Sequence, residues 1–375
     1  MLEHMATGVG AEGIEAVVAL GSDGPLVDRL RRAGIAVHVL PLGSLAGARR
    51  RHLPLDRRLV VDGVNWVRAV SRLIRTVEVD VVVTNSQKAH LAGSMAARIS
   101  GVPVVWRLHD IVGGETFGPA QILALRLTAA LSRPPILGVS RAVDAAVKQT
   151  LRIADSAPLH NGVDATRLRA QGRLELRERF GWPSDSVVFG MVGRLVRWKG
   201  CLDFVEAAPH VLRAAPAARF VLVGDEMIDA GSGFRDEIMN RIGELGVTDE
   251  VRLLPFTDEV GAVLADLDVL VQPSTEPDPF PTAVVEAAVM GVPVITTNHG
   301  GAAEIVGDGV HGRLVEPHSI PALADACVEL AADEVRRERM ATAIRDDSAG
   351  LTAPRMCADL ARELRMVSEG RRVTR

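Results

Sequence analysis

Residues 187–223, VVFGMVGRLVRWKGCLDFVEAAPHVLRAAPAARFVLV, decide the fold. Val187–Val192 is an apolar run without polar alternation, the pattern of a strand buried on both faces. It breaks at Gly193 into a basic turn that closes at Gly200. Cys201–Ala214 then carries a helical pattern, and Arg219–Val223 is a second apolar run. Strand, helix and strand in that order imply a parallel crossover. The alternation continues downstream, with strands predicted at Val251–Leu254, Asp268–Val271 and Val292–Thr296. Helices are predicted around Gly233–Glu244, Asp258–Ala265, Thr282–Met290 and Pro321–Ala331.

The same pattern runs upstream. Strands are predicted at Glu15–Leu20, Ile35–Leu40, Val79–Thr84, Val102–Leu108 and Ile136–Val139, with helices over Val64–Val77 and Lys88–Ile99. The segment His160–Asp164 is turn-rich and precedes a charged helix expected over Arg167–Phe180. The expected fold class is therefore α/β, two successive parallel α/β domains over 1–163 and 164–350. A closing amphipathic helix at Thr352–Val367, within 351–375, is expected to pack back on the first domain.

Length and composition agree. A chain of 375 residues suits two domains. Hydrophobic residues make up 47% and charged residues 24%, which excludes disorder, collagen and coiled coil as the main architecture. There is no tyrosine and the net charge is −4, which excludes a dedicated nucleic-acid binder built on aromatic platforms. Residues 1–163 hold 19 basic against 13 acidic residues, and 164–375 hold 24 against 34, so the charge changes sign at the expected seam. Cys201, Cys327 and Cys357 lie far apart without metal spacing, so a reduced cytoplasmic protein is expected. No run of 18 apolar residues is present, and the N-terminus does not read as a signal peptide.

Several motifs fail. Gly8, Gly10 and Gly13 spell GxGxxG, but the dinucleotide fingerprint needs a strand before it and a helix after it. No Walker A, GxSxG or HExxH sequence occurs, and the ten histidines show no metal spacing. His109 stands out because it ends the strand Val102–Leu108, where parallel α/β sheets bind ligands. The plainer reading of His109 is a hydrogen-bonded strand end.

Three stretches of the second half carry the chemistry. In Met191–Gly200, Arg194 follows a strand end and Lys199 sits where the next helix begins. Two cations there suit an anionic ligand such as a diphosphate, or are solvated surface cations. In Gln272–Ala287, Pro281 fits the first turn of a helix, leaving the amides of Phe280, Thr282 and Ala283 aimed at whatever binds. Glu286 lies one turn beyond Thr282. It could accept hydrogen bonds from the vicinal hydroxyls of a ribose, or stabilise its helix against a basic neighbour. In Thr297–Glu304, Gly300 and Gly301 permit close approach to a ligand, or form a tight turn.

Taken together, Gly193-Arg194, Lys199-Gly200, the VLVGD strand end, Asp278 with Glu286 eight positions on, and the VPV stretch leading to Gly300-Gly301 and Glu304 resemble retaining glycosyltransferases of family 4. That resemblance implies the GT-B fold, two Rossmann-like domains facing across a cleft. It implies an enzyme that moves a sugar from a nucleotide-diphosphate sugar to an acceptor hydroxyl, with no cofactor and no metal. Arg194 and Lys199 would neutralise the diphosphate, Glu286 would hold the ribose, and Asp278 and His109 would contact the transferred sugar. Main chain near Pro255 and Phe256 would meet the base, with Gly193, Phe280, Pro281, Thr282, Gly300 and Gly301 completing the donor site. Asp278 stands where the family carries Glu, and Glu276 lies two residues earlier. The family opens with a strand and a glycine-rich loop that are expected to be missing here, on the order of 20 residues. A nucleotide-sugar epimerase of the same fold, a nucleotide-sugar-binding protein without turnover, and a scaffold for a partner enzyme are the alternatives. The run Arg49–Arg58 reads as a solvated loop or as a weak peripheral contact with anionic lipid on the inner membrane face.

Overall fold

A computed structural model describes residues 1–44, 57–113, 117–226 and 233–370. The chain forms two compact units, Met1–Asn161 with Ala353–Arg375, and Gly162–Thr352. The passage from first to second unit lies inside the turn-rich His160–Asp164 segment.

The first unit runs α1 (Leu2–Gly8), β1 (Val17–Leu20), α2 (Pro25–Arg32), β2 (Ala36–Val39), α3 (Arg57–Val77), β3 (Val82–Thr84), α4 (Gln87–Ser100), β4 (Val104–Leu108), α5 (Pro119–Ser132), β5 (Ile136–Gly138), α6 (Arg141–Ala146) and β6 (Ser156–Pro158). Every strand pair is parallel, but the sheet is divided: β1 pairs only with β2, and β3-β4-β5-β6 form a second sheet. Gly8 and Gly13 close α1 and the turn after it, and no strand precedes them. The GxGxxG spelling is thus a helix end.

The second unit runs α7 (Ala165–Arg169), α8 (Leu176–Phe180), β7 (Val188–Val192), α9 (Cys201–Ala214), β8 (Arg219–Val223), α10 (Phe234–Glu244), β9 (Val251–Leu254), α11 (Val260–Leu264), β10 (Val269–Gln272), α12 (Thr282–Met290), β11 (Val294–Thr297), β12 (Gly312–Val315), α13 (Ile320–Ala332) and α14 (Glu334–Asp347). Its parallel sheet has the order β12-β11-β10-β7-β8-β9. The chain starts mid-sheet at β7, builds outward through β8 and β9, then returns to the other side of β7 with β10. The reversal between β7 and β10 is a topological switch point, where ligands settle beyond the strand ends of such sheets.

The expected single helix over Arg167–Phe180 is instead two helices. Gly172 (φ 74°) and Glu175 (φ 54°) take left-handed backbone between them. The buried Asp266 carboxylate accepts from the Leu174 and Leu176 amides (3.0 and 3.1 Å) and pairs with Arg173 (2.8 Å), which fixes the break. The last helix, α15 (Ala353–Ser368), belongs to the first unit. Met356, Leu360 and Leu364 join Met5, Val9, Val105 and Leu137 in one core there. A Cβ at Gly8 would lie 2.4 Å from Cys357 Sγ, so glycine lets α1 and α15 meet. Among the described residues, no helix is long and apolar enough to cross a membrane.

Candidate active site

The loops after β7 and β10 flank the switch point, and they are tied by both backbone and charge. The Thr275 amide donates to the Trp198 carbonyl (2.8 Å). Gly200 has φ 79°, and a Cβ there would lie 2.0 Å from the Pro273 carbonyl oxygen, so only glycine allows the two loops this close. Lys199 Nζ then reaches Asp278 Oδ2 at 2.7 Å, with side chains 11% and 9% exposed. Lys199 also lies 5.0 Å from the centre of the Trp198 ring. The sequence places these two charges in separate stretches; the structure joins them.

Arg194 follows Gly193 and is exposed. The third cation of the stretch, Arg197, is held by Glu237 of α10 and lies over Phe234 at 4.8 Å. Gly193 has φ 148°, and a Cβ on Gly224 would lie 1.8 Å from its carbonyl oxygen, so the ends of β7 and β8 approach through two glycines.

Helix α12 keeps its expected bounds, and Pro281, expected in its first turn, is the residue just before it, with extended backbone. Its carbonyl accepts from Val284 and Val285 (3.1 and 3.2 Å). The amides of Thr282 and Ala283 take no protein partner among the described residues, as at any uncapped helix start. Thr282 is exposed, while Phe280 is buried in the core. Glu286, one turn along, is half-buried and makes no ion pair or hydrogen bond among the described residues, so the helix-stabilising reading does not hold. Burial pushes its carboxyl up to about 7.

The glycine pair after β11 lets its turn approach the Asp278 loop closely. Gly301 donates to the Asp278 carbonyl (2.8 Å), and Cβ atoms at Gly300 and Gly301 would lie 2.4 and 2.1 Å from the carbonyl oxygens of Asp278 and Pro279. The turn thus clamps the loop that presents Asp278. Beyond β9, Phe256 is exposed and its amide is already taken by Asp225 Oδ2 (3.0 Å), which also pairs with Arg235 (2.9 Å). Of the expected base contact, that amide is spoken for by protein.

In the first unit, His109 follows β4 and its Nε2 meets Asn85 Oδ1 at 2.7 Å. Burial, with the nearby Arg107 charge, pushes its imidazole down to about 3, so it is neutral at physiological pH. With the Asn85 oxygen accepting, Nε2 carries the proton and Nδ1 remains an acceptor. Arg107 itself is fully buried and was not singled out by the sequence. Its guanidinium donates to the carbonyls of Leu159 (2.6 Å) and Gly138 (3.2 Å) and to Asn161 Oδ1 (2.8 Å). An arginine inside the apolar run VVWRL was the available signal.

Residues 172–347 match the family model described as glycosyl transferases group 1, and residues 11–167 match that described as glycosyltransferase family 4. The chain belongs to the family 4-like glycosyltransferases. Among relatives of this glycosyltransferase is the UDP-Gal:alpha-D-GlcNAc-diphosphoundecaprenol alpha-1,3-galactosyltransferase of Escherichia coli. The two are 28% identical over 277 residues, 70% of this chain and 69% of that protein. The D-inositol 3-phosphate glycosyltransferase of Stackebrandtia nassauensis is 28% identical over 354 residues, 87% and 76% of the two chains. The crystal structure of Anabaena HepE in complex with UDP-glucose matches with a TM-score of 0.81 and 26% identity, over 97% of this chain and 94% of that one. Each unit of this glycosyltransferase is thus a Rossmann-like domain of the GT-B fold.

Proposed function

We infer that the chain transfers a sugar from a nucleotide-diphosphate sugar to an acceptor hydroxyl, with retention at the anomeric carbon. The observation that carries this reading is the Lys199–Asp278 pair spanning the β7/β10 switch point, with Glu286 on the adjoining helix making no ion pair or hydrogen bond among the described residues. Anabaena HepE, of the same fold, has been crystallised with UDP and with UDP-glucose, which supports a nucleotide-sugar donor here.

In this reading Arg194, Lys199 and the free amides of Thr282 and Ala283 receive the diphosphate. Charge grows on the diphosphate as its bond to the anomeric carbon breaks and a bond to the acceptor oxygen forms on the same face, the acceptor's hydroxyl proton passing to the departing phosphate oxygen. Cations fixed in place stabilise that developing charge more than the ground state, which is where rate is gained. Glu286 as carboxylate accepts from the ribose hydroxyls. Asp278 contacts the transferred sugar, and the Gly193 and Phe256 segments border the nucleotide. Side-chain cations do the neutralising, so chelators are expected to leave turnover unchanged.

The test is to incubate the protein with candidate donors, with and without hydroxyl acceptors, and follow free nucleoside diphosphate and anomeric configuration by NMR. Release that depends on acceptor, with a product of unchanged configuration, supports the proposal. Conversion of the donor sugar without acceptor assigns an epimerase, and an inverted product removes the retaining mechanism.

A further inference from the structure

Helices α3, α4 and α5 lie side by side in the first unit. Ser71 of α3 donates to the Ala96 carbonyl of α4 (3.4 Å), and Arg98 of α4 donates to the Leu131 carbonyl of α5 (2.8 Å). Their inward faces are ordinary core, with Trp66, Val70, Ile74, Ala96 and Leu125 buried. The outward face is not ordinary surface. Leu123, Leu127 and Leu131 stand one turn apart along α5 and are 55%, 56% and 52% exposed. The other exposed positions of α5 are Pro119, Ala120 and Ala130, so this helix shows solvent an apolar stripe. A surface helix normally turns polar residues outward. Ile99 on α4 is exposed as well, next in the chain to the arginine that reaches Leu131.

Charge on the same layer has one sign. The three helices hold eight basic residues against one acidic, Asp62, and that carboxylate is already engaged by the Ser44 amide and hydroxyl (2.8 and 2.6 Å). The five arginines of α3 are all exposed. The two features together select the occupant. A second copy of this face would bring arginines against arginines, and like charges placed together repel. An anionic bilayer accepts leucine side chains at its interface while its phosphates meet the arginines.

The geometry points to a lipid-docking surface on helices α3–α5, with the α5 leucines inserted at the interface of an anionic membrane and the arginines lying over its headgroups. It is independent of the donor site, which belongs to the other unit. It overlaps the expectation attached to Arg49–Arg58 only at Arg57 and Arg58, the two residues of that run that fall among the described residues, and is centred on α5 instead.

Sedimentation of the full chain with vesicles tests it, using phosphatidylcholine alone and phosphatidylcholine mixed equally with phosphatidylglycerol, at low and high salt. The expected result is at least tenfold stronger association with the anionic vesicles, weakened by salt. Leu123→Gln/Leu127→Gln/Leu131→Gln is expected to lower it at least tenfold with an unchanged melting temperature, since these side chains are already in water. Arg72→Gln/Arg75→Gln is expected to reduce the salt-sensitive part alone. Absent association with anionic vesicles, equal association with both vesicle types, or undiminished association of the leucine variant overturns the proposal. Loss of a concentration-dependent dimer in that variant, without vesicle binding, assigns the stripe to a second copy instead.

Discussion

Both units place a cation near the end of a central strand, and the two charges are disposed of in opposite ways. In the first unit Arg107 lies within β4, with its donors directed at backbone carbonyls and at Asn161. Burial lowers its guanidinium to about 9, still charged at neutral pH, and among the described residues no carboxylate pairs with it. In the second unit Lys199 lies just past β7 and is answered by a carboxylate from another loop. A carbonyl set that takes both terminal nitrogens of a guanidinium fixes the fold, although Nε of Arg107 is buried without a partner among the described residues. A lysine held by one aspartate can exchange that partner for a phosphate. The two buried cations therefore differ in their partners, carbonyls and an amide oxygen for one and a single carboxylate for the other.

The largest expected effect separates the two roles of Lys199. Lys199→Met should lower turnover by about 10²–10³-fold, the scale for losing one group that stabilises developing charge. It should also lower the melting temperature, because the Asp278 carboxylate keeps its burial and loses its partner. Adding Asp278→Asn should recover the melting temperature and not the turnover. Recovery of both would make the pair structural, like Arg107.

Arg107→Met is the mirror experiment. It leaves buried carbonyls and Asn161 without a donor, so a loss of about 3 kcal/mol in denaturant unfolding is expected. Nucleotide affinity, measured by calorimetry, should stay at the wild-type value. A fall in affinity without loss of stability would blur the contrast between the two cations.

Glu286→Gln probes a smaller effect with a definite pH sign. A carboxyl raised from 4.5 to about 7 in the fold favours stability at low pH and loses that contribution as pH climbs from 4.5 through about 7. The glutamine variant should therefore gain about 3 kcal/mol at pH 8 and nothing at pH 4. Nucleotide affinity of the wild type should rise through pH 7 as the carboxylate forms, and the variant should bind about tenfold more weakly, without that rise. The smallest effect concerns His109. Its imidazole, at about 3, should contribute no limb to the turnover profile between pH 5 and 8, and Asn85→Asp should introduce one by favouring the charged ring.

Much of the second unit was legible because its strands are buried on both faces. Apolar runs alone bounded Arg219–Val223 and Val251–Leu254, and helical pattern alone bounded Cys201–Ala214 and Thr282–Met290. Helix α14 was missed because it buries only Met340 and Ile344 along a charged segment. Strand β12 was missed because half its residues are only partly buried. The break between α7 and α8 depends on Asp266, a partner too far along the chain to enter any local pattern. The chemistry at the site was legible as residue types at strand ends. Its wiring was not: Lys199 and Asp278 are 79 positions apart, and nothing local to Gly300 and Gly301 shows that the Asp278 loop packs against them.

The central claim is that the β7/β10 switch point holds a nucleoside diphosphate through Lys199. Calorimetric titration of UDP into the wild type and into Lys199→Met/Asp278→Asn, a variant with no buried charge left unpaired, tests it most directly. Saturable binding to the wild type, weakened at least tenfold in the variant at an unchanged melting temperature, is the predicted result. Equal affinity of the two proteins would contradict it.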